Sequence, residues 1–257
     1  MKNQEFIQID QMNDSFTNQG SDIGSLLKKK SVVASTIVWF SVSLLVAFLT
    51  AIIFAYSGLL NRIFSNTIAT IFYPIILLIV IFVGPFIQAK FYSKMNLPGT
   101  VIINFITMLA LGSMLGILFL VPEFRLKEWL ILLLVPTALM IATGLLAAYN
   151  LIKIRLLWLV IITLTISIII MLFIAIFAFN KAFYEVMYSI ISIALSSAYM
   201  ALDWYFINKL NNNYQLTFID NASIRKEITL HGMFFGCRMA TNFIIIALRI
   251  AILFLKR

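Results

Sequence analysis

Long apolar stretches alternate with short polar ones along most of this chain. Charged residues are sparse, and the stretches between them exceed the ~20 residues that a helix needs to cross a bilayer. We therefore predict an all-α, polytopic membrane protein. Its seven transmembrane helices are expected at roughly 33–56, 68–89, 100–121, 129–150, 156–178, 184–207 and 231–254.

Composition agrees with this pattern. Of the 257 residues, 62% are hydrophobic and 11% are charged, whereas soluble domains are about 45–50% apolar and 25% charged. The lipid bilayer is thus the first partner that we expect. Residues 1–30 are polar and predict a flexible cytoplasmic tail, and residues 31–257 predict one seven-helix transmembrane domain, whose longest loop is 210–230.

The net charge of +9 would suggest nucleic acid in a soluble protein. Here most Lys and Arg residues lie in short loops, where they orient a membrane protein. More of them fall on the side that holds the N-terminus. We therefore expect a cytoplasmic N-terminus and no nucleic-acid partner.

Several kinds of chemistry are not expected. The chain has one histidine and one cysteine, Cys237, which lies inside the last predicted span. These residues build neither a zinc site nor an internal disulfide, and no GxSxG or phosphate-loop sequence occurs. We therefore expect neither an enzyme nor a cofactor.

The sixth predicted span carries a polar stripe. A carboxylate in the hydrocarbon region costs several kcal/mol by most estimates, so it normally faces protein or a water-filled cavity. At 100° per residue, the polar residues of this span fall within about 40° of one line. They are Glu185, Ser189, Ser192, Ser196, Tyr199 and Asp203.

The last span carries a second stripe, formed by His231, Arg238, Asn242 and Arg249. Consecutive spans run antiparallel, which brings Asp203 and Arg238 to matching depth. We predict an ion pair between these two residues, with a looser pair between Glu185 and Arg249, because each charge would offset the desolvation of its partner. Such pairs either lock the bundle together or mark a pathway that senses protons, and the pattern leaves both readings open.

The third span contains 112-GSMLG-116, a GxxxG spacing that lets another helix approach closely. Within a bundle of seven helices, such glycines favour contact with a neighbouring helix of the same chain. We therefore predict intramolecular packing here.

The segment 201-ALDWYFINKL-210 resembles the acidic stretch that ends the sixth helix in the bacterial branch of the Bax inhibitor-1 family. The similarity extends to 231-HGMFFG-236, to 248-LRIAILFLKR-257 and to 148-AYNLIKIRLLW-158 between the fourth and fifth spans. This resemblance implies six helices around a central seventh, in the cytoplasmic membrane of a bacterium. It also implies a pH-sensitive calcium leak, in which an acid from the sixth span and one from the seventh share a proton.

Asp203 matches the first of these acids, but the second is missing. Glu227 is the last acidic residue in the chain, and a gapless match from His231 puts the expected acid at Ile246. The glutamate of the family's third span is also absent. Because a carboxylate beside an arginine stays ionised, we expect a leak whose pH switch is weakened or lost.

Three functions remain open. The first is a leak channel for Ca²⁺ or protons, in which Ca²⁺ is transported and is no cofactor. The second is a non-conducting regulator of a membrane protease or of a stress-response partner. The third is a carrier for a small anion that would use Arg238 and Arg249.

Overall fold

The computed structural model describes residues 31–91, 97–120, 126–177, 181–215 and 222–255, and all regular structure in these ranges is helical. In lipid a backbone must satisfy its hydrogen bonds internally, which a helix does. Eight helices are numbered in chain order. They are α1 (Val32–Tyr56), α2 (Leu59–Ser65), α3 (Thr67–Phe91), α4 (Leu97–Phe119), α5 (Leu126–Ala148), α6 (Ile154–Phe177), α7 (Lys181–Gln215) and α8 (Ala222–Leu255).

Six of these helices, α1 and α4 to α8, are long and apolar enough to cross a membrane. They lie at six of the seven predicted spans. Helix α3 lies at the second predicted span, but the apolar segment found there, Thr67–Leu77, is shorter than the other six. The count of seven spans therefore stays a prediction.

The last two helices extend well beyond their predicted limits, which is a correction to the sequence-based boundaries. The predicted loop 210–230 is largely helical, because α7 continues to Gln215 and α8 begins at Ala222. At a rise of ~1.5 Å per residue, 34 residues span about 50 Å, more than the ~30 Å of the hydrocarbon core. Polar residues ended the predicted spans, but they did not end the helices.

Turns between the early helices depend on local backbone chemistry. Gly58 has φ +69°, a left-handed conformation that lets the chain turn between α1 and α2. Asn66 then caps α3, since its Oδ1 accepts hydrogen bonds from the backbone N–H of Ile68 at 3.0 Å and of Ala69 at 3.2 Å.

Helix α8 is largely buried from residue 232 to residue 251 and packs closely against α1, α4, α5 and α7. Helix α6 packs mainly against α7, and α3 against α4. Large apolar side chains on the outer helices are exposed, among them Ile162, Ile166 and Ile169 of α6. Such surfaces suit lipid, so the molecule is a polytopic helical membrane protein with α8 inside the bundle. A complete ring of six helices around α8 stays a prediction.

Glycines allow α1 to approach two other helices. A Cβ on Gly112 of α4 would clash with the carbonyl oxygen of Ala47, and one on Gly116 would lie 3.0 Å from the carbonyl oxygen of Ala51. The prediction that this GxxxG pair packs within the chain is confirmed. Gly236 of α8 makes a similar approach, since its Cβ would lie 2.8 Å from the carbonyl oxygen of Thr36.

Candidate functional site

An ion pair joins the two longest helices. Arg238 Nη2 of α8 lies 3.0 Å from Asp203 Oδ1 of α7, as the matching depths of the two residues predicted. The Asp203 side chain has no exposed surface, whereas 26% of the Arg238 side chain is exposed. The carboxylate is therefore removed from solvent, and the guanidinium reaches the edge of the protein.

Few groups among the described residues compensate the charge of Asp203. Among the described residues, neither carboxylate oxygen accepts a well-directed hydrogen bond, despite the short distance from Oδ1 to Arg238. A buried carboxylate usually accepts several hydrogen bonds. The attraction of the guanidinium is therefore the main compensation that the described part of the chain provides for this buried charge.

Arg238 has a second contact within its own helix. Its guanidinium carbon lies 5.2 Å from the centre of the Phe234 ring, one turn earlier in α8. Guanidinium groups are attracted to aromatic faces at this distance. The Phe234 ring thus helps to hold Arg238 at the depth of Asp203.

The polar stripe of α7 faces protein over most of its length. Ser189, Ser192, Ser196 and Asp203 are buried, and Tyr199 is half-buried. Glu185, at the outer end of the predicted stripe, is exposed and does not face protein. On α8, Asn242 is buried, and His231, Arg238 and Arg249 are half-buried. Whether any of these residues lines a pore stays a prediction.

The looser ion pair expected between Glu185 and Arg249 is not formed. Arg249 Nη2 donates a hydrogen bond to the Tyr188 hydroxyl at 3.2 Å, and its guanidinium carbon lies 4.4 Å from the centre of the Tyr188 ring. Glu185 has a different contact and is exposed. The two residues share a depth, but the aromatic side chain one turn further along α7 occupies the position beside Arg249.

The position matched to the missing acid is Ile246, which is fully buried. Glu227, the last acid in the chain, lies near the start of α8, where Tyr214 donates a hydrogen bond to its Oε2 at 3.1 Å. Helix α8 therefore has no carboxylate after Glu227 with which Asp203 could share a proton. Among the described residues, no group of three or more His, Cys, Asp or Glu side chains is arranged to hold a metal ion.

A cavity of ≈ 300 Å³ lies between α7 and α8 at the end where their connection lies. Its lining is mainly an apolar wall that includes Phe206 and Phe234, with a smaller polar wall that includes Lys209, Asn213 and His231. The sequence predicts His231 in the polar stripe of the last span, and that pattern does not include Lys209. The two residues lie on different helices, and no spacing within the sequence brings them together.

Hydrogen bonds fix one side of this cavity. His231 Nε2 lies 3.1 Å from the Tyr214 hydroxyl, which in turn donates to Glu227. The start of α1 lies next to the same end of α7. There Asn211 Oδ1 accepts hydrogen bonds from the Ser31 hydroxyl at 2.8 Å and the Val32 backbone N–H at 3.1 Å.

Comparisons with protein-family models, with curated proteins and with solved structures found no match to this chain. The resemblance to the Bax inhibitor-1 family therefore rests on the chain's own residues around Asp203 and in the last helix.

Proposed function

We propose that this chain is a Bax inhibitor-1-like integral membrane protein of a bacterial cytoplasmic membrane, with a cytoplasmic N-terminus and seven spans. We propose further that it contains a path for Ca²⁺ or protons, and that the Asp203–Arg238 pair holds this path closed. The observation that carries the proposal is the 3.0 Å contact between a wholly buried carboxylate and a guanidinium on the neighbouring helix.

The ion pair supports a path whose response to protons is weakened or lost. Two adjacent carboxylates share a proton and switch close to neutrality, whereas an arginine beside a carboxylate favours its charged form. Here a buried isoleucine, Ile246, stands where the second acid is expected. The family's switch would therefore be replaced by a fixed pair of opposite charges.

The same pair supports closure against cations. A guanidinium along the path repels Ca²⁺, and more strongly where little water screens the charges. Opening would require Arg238 to leave Asp203, which would strand a buried charge at a cost of about 3–5 kcal/mol. Arg238 is the group that can move, because its side chain is partly exposed while that of Asp203 is not.

Ca²⁺ flux into liposomes tests the proposal, with the purified full chain measured between about pH 6 and 8. We expect little flux and little pH dependence for the wild type. Arg238→Gln should raise the flux and make it pH-dependent, because Asp203 is then an unpaired acid. Asp203→Asn combined with Arg238→Gln should remove that pH dependence.

Arg249→Gln is the matched control, since it removes an arginine of the same helix that contacts Tyr188 rather than a carboxylate. It should raise the flux less than Arg238→Gln does, because it leaves the Asp203–Arg238 pair intact. Absence of flux in every variant, from protein shown to be folded, would contradict the leak.

A non-conducting regulator is the second candidate, and the dense packing around Asp203 favours it. Met200 and Ile207, one turn on either side, have no exposed surface. In this reading the ion pair only holds the helices together, while the tail of residues 1–30 contacts a membrane protease or stress-response partner. Zero flux, together with loss of a defined partner from the membrane when residues 1–27 are removed, would support the regulator.

A further inference from the structure

The cavity between α7 and α8 combines two kinds of wall. Most of the lining is apolar and includes the rings of Phe206 and Phe234, and a smaller polar wall includes Lys209, Asn213 and His231. At ≈ 300 Å³ it is at the lower end of the range of about 300–1,000 Å³ that is usual for small-molecule sites. Its occupant should therefore be amphipathic, with a polar head and an apolar part.

The polar wall favours a negatively charged head. Lys209 is exposed, and no acid pairs with it in the part of the chain that the structure describes. Glu227 lies near the same wall, where it accepts a hydrogen bond from Tyr214, and Tyr214 in turn contacts His231. Lys209 therefore carries a positive charge that the described acids leave uncompensated.

The place of the cavity along the helices matches the boundary between membrane and water that hydrophobic patterning predicts, although both helices continue past it. Sequence patterning ends the sixth span at 207 and begins the seventh at 231, so Lys209 and His231 lie at these two limits. Phe206 and Phe234 lie on the membrane side of them. Basic pockets between transmembrane helices at this level bind the head groups of anionic lipids.

We propose that this cavity binds an anionic phospholipid, with the lipid phosphate beside Lys209 and His231 and the first methylene groups against Phe206 and Phe234. A free phosphate would use only the polar wall and leave the apolar rings uncovered. The lipid is therefore the occupant that uses both walls.

The test is a lipid titration of the full chain in nanodiscs of phosphatidylcholine. Phosphatidylglycerol is added in increasing proportion, and the bound lipid is counted by native mass spectrometry. We expect saturable binding of phosphatidylglycerol. Inorganic phosphate at the same concentration should not compete.

Lys209→Gln should weaken this binding about fivefold, the effect expected for one lysine near an anionic surface. Lys209→Arg should restore it, because a positive charge returns. Lys153→Gln is the matched control, since Lys153 is exposed, lies between α5 and α6, and belongs to the same predicted side of the membrane. It should bind as the wild type does.

Equal affinity of Lys209→Gln and Lys153→Gln for phosphatidylglycerol would overturn the proposal. Competition by inorganic phosphate would also overturn it and assign the cavity to a soluble anion. A third contrary result would be lower thermal stability of Lys209→Gln without added lipid, together with unchanged lipid affinity. That result would assign the cavity to a segment of the chain itself.

Discussion

Arg238 Nη2 lies 3.0 Å from Asp203 Oδ1, and the carboxylate is wholly buried while the guanidinium is partly exposed. The two ends of this ion pair therefore differ in what happens when their partner is lost. Asp203 would be left charged inside the protein. Arg238 could turn its charged end toward the edge of the bundle, because its long side chain allows this movement.

The first prediction follows from that asymmetry. Arg238→Gln should lower the free energy of unfolding by about 3–5 kcal/mol, because it leaves a buried charge without compensation. Asp203→Asn should cost less. Adding Asp203→Asn to Arg238→Gln should recover part of the loss, and the recovery measures the coupling between the two side chains. Chemical unfolding in detergent micelles is the measurement, and additive losses would contradict the coupling.

The second prediction concerns the contact of α1 with α8. A Cβ on Gly236 would lie 2.7 Å from the backbone nitrogen of Phe40 and 2.8 Å from the carbonyl oxygen of Thr36. Because both atoms belong to the backbone, Gly236→Val should force the helices apart and lower the free energy of unfolding by at least about 1–3 kcal/mol. Ala142→Val adds bulk at an exposed position of α5 and is the control. Similar stability of the two variants would contradict the close approach.

The third prediction concerns Arg249. Tyr188→Phe keeps the ring beneath the guanidinium but removes the hydroxyl that accepts its hydrogen bond. The expected loss in the free energy of unfolding is about 1–2 kcal/mol. Double-mutant cycles should give a larger coupling of Arg249 with Tyr188 than with Glu185. A larger coupling with Glu185 would contradict this contact and support an ion pair between Glu185 and Arg249.

The fourth prediction concerns the attachment of α1 to α7. Asn211→Ala removes the oxygen that accepts hydrogen bonds from Ser31 and Val32. The expected cost is about 1–3 kcal/mol, because the polar groups at the start of α1 lose their partner. Asn212→Ala changes the neighbouring exposed residue and should stay within about 0.5 kcal/mol of the wild type. Hydrogen exchange at the first turn of α1 should rise in Asn211→Ala alone.

The positions of the helices and the central ion pair could be predicted from the sequence. A run of apolar residues predicts a spanning helix, because its backbone has no other partner in lipid. Asp203 and Arg238 lie on consecutive antiparallel helices, so residue counts are enough to compare their depths. Helical periodicity then predicts which face each residue occupies.

The partner of Arg249 could not be predicted from the sequence. Glu185 and Tyr188 lie one turn apart on α7, and both are near the depth of Arg249. The choice between them depends on rotation of the helix and on side-chain conformation, which shift atoms by a few ångströms. Periodicity gives no information at that scale, and the structure selects Tyr188.

The sequence by itself determined an all-α membrane protein, six of its spans, and the pairing of Asp203 with Arg238. These features depend on hydrophobicity and on helical repeat, which are local properties. Only the tertiary structure brought Gly236 against α1, Asn211 to the start of α1, and Lys209 and His231 to one cavity. Such contacts join residues on different helices, so they depend on how closely and at what rotation the helices pack.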